Sequence, residues 1–145
     1  MHDATHPSQA YPLAMEKVEG LEDGILWRNT EDTVALLNER TRPVLAFVLD
    51  TDGTRWPFLR EIFRAMPKNA KLRELLAGPC TALLLEPGKI HPQLEMLGAG
   101  STYHIAVLSP SGLDPLVTFN YTTGKPDSLV DEITRVLEKL APNWA

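Results

Sequence analysis

Apolar residues along this chain keep two different rhythms, and the alternation between them predicts the elements. Residues 43–50 and 80–86 are short runs apolar on both faces, the signature of central strands covered from two sides. Between them, Leu59, Ile62, Phe63 and Met66 follow an i, i+3, i+4, i+7 stripe that predicts a helix, with Pro57 in its first turn. Pro67 interrupts that helix before Leu72, Leu75 and Leu76 resume the apolar face, and Gly78 is expected as its C′ residue. Residues 24–28 are a shorter strand candidate. Asn29 or Thr30 then caps a first helix, with Glu31 and Asp32 in its first turn, a stripe of Val34, Leu37 and Ala35, and an end near Thr41.

The last third changes character. After the Pro87-Gly88 turn, residues 91–97 make a weak short helix, and Gly98 to Gly100 form a loop. Residues 103–108 and 116–121 predict two strands joined by a turn-rich connection through Pro110, Gly112 and Pro115. A closing helix is expected from Ser128, with Asp131 at N3 and a stripe of Leu129, Val130, Ile133, Val136, Leu137 and Leu140, ended by Pro142. The first 20 residues hold Pro7 and Pro12 and little periodicity. They are expected to be a flexible amino-terminal extension, ordered only against their own domain or a partner, with residues 21–145 as the domain.

Composition narrows the chemistry. At 145 residues the chain suits one domain. A single cysteine, Cys80, excludes an internal disulfide framework and any multi-cysteine metal site. Fourteen Lys and Arg against 19 Asp and Glu give a net charge of −5, which argues against a dedicated nucleic-acid binder. The first residues lack the pattern of a secretory signal and the apolar runs are strand-sized, so the expected setting is cytoplasmic, without a membrane span.

The order strand, helix, strand, helix, strand, helix, hairpin, helix resembles the thioredoxin-like superfamily over roughly four fifths of the chain. Residues 42–48 look like the segment that precedes the redox motif there, and residues 107–112 look like its hairpin strand and turn. The resemblance implies an α/β fold, with a central mixed sheet of about five strands flanked by helices, ending in a β-hairpin and a helix. The departures carry the functional reading. On the family's pattern, Gly53, Thr54, Arg55 and Trp56 stand where the Cys-x-x-Cys motif belongs, and Tyr103 stands in place of the cis-proline. Disulfide exchange requires a thiolate, and none is offered there.

Other candidate groups are sparse. Cys80 opens the third strand, at the pole opposite the former redox loop. It is expected to be a small buried residue, the alternative being a reactive thiol in an oxidoreductase or redox sensor. His104 can be paired with Asp50 or Asp52, more as a hydrogen-bonded structural histidine than as a general base, because no nucleophile accompanies it. His2, His6 and His91 lack metal-ligand spacing, and neither a metal nor another cofactor is expected. Trp27 and Trp144 are expected to pack rather than to bind ligands.

Charge segregation is the strongest hint. From Arg55 to Arg73 lie Arg55, Arg60, Arg64, Lys68, Lys71 and Arg73 against Glu61 alone, a local balance of +5 within a chain of net −5. Arg60 and Arg64, four residues apart, share a helix face beside the former redox loop. A solvated helix surface has the same composition. The functional reading makes Arg55, Trp56, Phe58, Arg60 and Arg64 a docking surface for a protein with an acidic face, the acidic stretch Glu16, Glu19, Glu22 and Asp23 being a second candidate to cover it. The expectation is therefore a redox-inactive binding module: an accessory or assembly factor, or a small subunit of a larger complex. Redox-inactive relatives in the superfamily include chaperones of hydrogenase maturation. A homo-oligomer is compatible with this reading, as is a structural subunit whose amino-terminal segment threads into an assembly.

Overall fold

The computed structural model describes Ile25 and residues 27–39, 42–97, 103–110, 112–119 and 125–144, with side chains as far as residue 141. Among these residues nine elements follow in order: β1 (Trp27–Arg28), α1 (Thr33–Glu39), β2 (Val44–Val48), α2 (Trp56–Ala65), α3 (Ala70–Ala77), β3 (Thr81–Leu85), β4 (Ile105–Leu108), β5 (Pro115–Phe119) and α4 (Pro126–Trp144). The strands form one mixed sheet in the order β1-β3-β2-β4-β5. β1, β3 and β2 run parallel, with Val44 opposite Thr81 and Val48 opposite Leu85, whereas β4 is antiparallel to both β2 and β5.

Every residue of β2 and β3 is buried, as their two-faced apolar sequences require. Because side chains alternate along a strand, Leu45, Phe47, Ala82, Leu84, Ile105 and Val107 point into one layer with α2, α3 and α4. Val44, Ala46, Val48, Leu83, Leu85, Ala106 and Leu108 point into the other, closed by Leu36 of α1 and by Leu94, Leu97 and Leu113. Three rings bind the first layer. Phe63 of α2 stacks on Trp27 of β1 at 5.5 Å between centroids and meets Phe47 of β2 edge-on at 5.3 Å.

The α2 stripe lies inward as expected, with Leu59, Ile62, Phe63 and Met66 all buried. Pro67 ends α2 in a single 3₁₀ turn, and Asn69 caps α3 by accepting the Leu72 N–H at 3.0 Å.

Five expectations are corrected. Val34, expected in the first helix stripe, is 55% exposed and Ala35 is exposed too, while Thr33 and Leu36 are the buried positions. The cause is polar: a 3₁₀ turn over Thr30–Asp32 precedes α1 and shifts its phase. That turn buries Thr30 because its hydroxyl accepts the N–H of Glu86 at 2.9 Å, and the carboxylate of Asp32 accepts the N–H of Asn29 at 3.0 Å. The closing helix begins at Pro126, not Ser128, since a proline at the first helical position gives up no needed N–H, and the Lys125 carbonyl accepts from Ser128. It also continues through Pro142 to Trp144, because a proline that close to the end removes only one helical bond. Gly78 ends α3 with φ of −144°, outside the left-handed region expected of a C′ glycine. Residues 91–97 hold only one 3₁₀ turn, Pro92–Leu94.

The aromatic trio generates a stability prediction. Phe63→Ala should cost about 3–5 kcal/mol in denaturant unfolding, whereas Val34→Ala should stay within about 0.5 kcal/mol of the parent. Equal losses would mean that the ring cluster is not the anchor of this layer.

Candidate functional site

The site region begins where β2 leaves the sheet. The chain turns sharply there, with the Gly53 N–H donating to the Asp50 carbonyl at 3.1 Å and the Trp56 N–H to the Gly53 carbonyl at 3.2 Å, which launches α2. The Asp50 carboxylate folds back over this turn. A Cβ on residue 53 would fall 2.3 Å from Asp50 Oδ2, so only glycine lets the carboxylate lie there.

Asp50 faces His104, the residue just before β4, with Oδ2 3.4 Å from Nε2. His104 is 3% exposed. Its backbone carbonyl accepts the Val48 N–H at 2.8 Å, so the ring is seated on the central strand itself. Two opposing influences set its charge. Burial disfavours the imidazolium and pushes the pKa below the ordinary histidine value; the Asp50 carboxylate pulls it up, and the Arg55 guanidinium pushes it down again. Desolvation wins because the contact to Asp50 is long for a hydrogen bond. His104 is therefore a neutral, seated residue at neutral pH.

Arg55 is turned partly inward. Its Nη1 is buried without a hydrogen bond among the described residues, and its charge reaches His104. Trp56 is half-buried against the core layer of α2 and α4. Phe58, by contrast, is 50% exposed. At about 100° per residue Arg60 and Arg64 lie about 40° apart, but Phe58 sits about 160° from Arg60. The outer face of α2 thus has a basic flank and an opposite flank bearing Phe58 and Glu61.

The six basic residues do not make one patch. Arg64 Nη1 lies 3.7 Å from Glu61, Lys71 pairs with Glu138 of α4 at 3.2 Å, and Arg73 donates to the Pro67 carbonyl. Arg60 and Lys68 make no ion pair among the described residues. The sequence alone had no means of separating these roles, because partners such as Glu138 are more than 60 residues away.

Cys80 lies at the other end of the molecule. It precedes β3, whose start is level with that of β2, so the length of the strand, about 16 Å, separates it from the Gly53 turn. It is 1% exposed, and burial pushes its thiol up to about 11, with Arg42 opposing weakly. At neutral pH only about one thiol in ten thousand is ionised. A shallow cleft of about 340 Å³ beside the turn is lined by Asp50, Asp52, Glu86 and Lys89 among others, but no described cluster has the make-up of a metal site. His91 accepts the Gln93 N–H at 3.0 Å and caps a turn. Trp27 is core, as expected. His2, His6, the Gly98 to Gly100 loop and the Trp144 side chain lie outside the described residues and side chains.

Two expectations follow. A histidine whose pKa is lower folded than unfolded takes up its proton more readily on unfolding. Folding stability should therefore fall as pH drops below about 6.5 and level off below the folded pKa. His104→Gln should lose that component of the pH dependence, read by urea midpoints from pH 8 to 5; an unchanged slope would remove His104 as its source. Iodoacetamide should modify Cys80 at the rate of unfolding rather than of thiol ionisation, with rapid labelling of the native protein as the contrary result.

No helix among the described residues is long and apolar enough to cross a membrane. The chain matches no family model, no curated protein and no solved structure.

Proposed function

We propose that this chain is a thioredoxin-like domain without the redox cysteine pair. It works by binding protein, as an accessory or assembly factor or a small subunit of a larger complex. The strand order β1-β3-β2-β4-β5, parallel in its first three members with β4 antiparallel to both its neighbours, supports the family reading. So does the placement of Gly53, Thr54, Arg55 and Trp56 on the turn after β2, with Cys80 far from it.

One observation carries the binding role: a large aromatic side chain, Phe58, stands half in water on the first turn of α2, on a helix whose outward face bears Glu61 beside it and Arg60 and Arg64 on the opposite flank. Aromatic residues and arginines are the types most enriched in binding hot spots. Arg55, half-buried at the start of α2, is the third arginine of this region. Trp56 contributes from below by holding the first turn of α2 against the core. The partner is accordingly a protein with an acidic face, and its on-rate should fall with salt.

The test is a surface double variant. Phe58→Ala with Arg60→Glu alters two exposed side chains and should leave thermal stability nearly unchanged. Affinity capture from native cells should then lose the partner retained by the parent chain. Retention of the same partner by the folded double variant would make the α2 face a solvated surface.

A further inference from the structure

The polar cluster at the end of β2 holds one carboxylate and two groups that can be cationic. Asp50 Oδ2 lies 3.4 Å from His104 Nε2, and the charge of Arg55 reaches the same ring. No other charged group among the described residues bears on it; β2 meets His104 through backbone, the Val48 N–H donating to its carbonyl at 2.8 Å. With the imidazole neutral, the carboxylate and the guanidinium balance. With the imidazole protonated, two cations share one anion where water is largely excluded, and like charges so placed repel. The three groups differ in whether they can move. His104 is 3% exposed and tied to β2, so its ring stays. The Asp50 carboxylate fills the space that a Cβ on residue 53 would need, facing the ring. Arg55 alone has a long side chain and a way out: it is half-buried between the exposed Thr54 and the first turn of α2, and its buried Nη1 makes no hydrogen bond that release would break.

We propose that this cluster is a pH-operated switch: protonation of His104 locks Asp50 onto the imidazolium and drives the Arg55 guanidinium out to solvent at the start of α2. Arginine keeps its charge throughout, so the histidine alone is the trigger. Because burial holds the His104 pKa below its ordinary value, the change falls below about pH 6.5. One consequence rests on the docking function proposed above: an acidic protein binds α2 more tightly once Arg55 is exposed. The release of Arg55 itself does not depend on that function.

The experiment follows the full chain by NMR from about pH 8 to about pH 5, above the ordinary carboxylate range. A neutral gadolinium chelate in the buffer speeds the relaxation of any side chain that reaches solvent, and the probe is the Arg55 δ-methylene, assigned by its loss in Arg55→Lys. Its relaxation enhancement should rise with the same midpoint as the His104 ring resonance, and the rise should be lost in His104→Gln. A constant Arg55 signal while His104 titrates overturns the switch, as does a ring that stays neutral throughout or an Arg55 change that persists in His104→Gln. Collapse of dispersed resonances across the sheet at that midpoint also overturns it, since protonation then unfolds the chain instead of moving one side chain. The parent titration decides alone if His104→Gln does not fold. In parallel, a labelled peptide of alternating aspartate and leucine is titrated into the parent and into Arg55→Gln at both ends of the range. Tighter binding at the lower pH in the parent, lost in Arg55→Gln, supports the docking consequence. Equal affinity at both ends, or a gain that persists in Arg55→Gln, overturns that consequence while the switch stands. Release of Arg55 with no peptide binding at either end upholds the switch and overturns the docking function instead.

Discussion

Strand β2 is the constraint on which the rest depends. It has hydrogen-bonded strands on both sides and apolar layers on both faces, so none of its five residues retains contact with solvent beyond 2%. Burial of this kind is worth roughly 1.5–3 kcal/mol for each large side chain, and it fixes register, because a slip of one residue exchanges Leu45 and Phe47 for Ala46 and Val48 in the wider layer. Everything that follows β2 is placed by that register. Asp50 emerges where it meets His104, Gly53 lies beneath the carboxylate, and α2 starts with Arg55 turned inward and Phe58 turned out.

The geometry at the end of β2 separates position from chemistry. A polar cluster is built there, yet its histidine is neutral and seated, its carboxylate lies over the turn against Gly53, and the only thiol is buried at the opposite end of the sheet. What reaches solvent is the α2 surface. A turn held this firmly fixes the orientation in which α2 presents its outer face.

Much of the fold was legible because its elements are strongly periodic. The α2 stripe, the kink at Pro67, the two central strands and the hairpin all follow from side-chain spacing and backbone chemistry. Errors gathered where a polar contact overrode the pattern. Val34 was expected inside because it is apolar, but Thr30 takes the inward position to satisfy the Glu86 N–H, and the helix turns with it. The basic cluster was legible as a count and misleading as a surface, because Lys71 is answered by Glu138 from α4 and Arg73 by the Pro67 carbonyl.

By itself the sequence determined which stretches form strands and helices, that two strands are buried on both faces, and that no pair of cysteines exists to exchange electrons. Those properties are local, set by spacing along the chain and by which atoms are present. Only the tertiary structure decided that Trp56 is half-buried while Phe58 is exposed, that Arg55 buries a guanidinium nitrogen, and that the Asp50 carboxylate lies where a side chain on residue 53 would fall. Each depends on which groups from distant segments share a small volume, where desolvation and pairing compete, and neighbours in space are not neighbours in sequence.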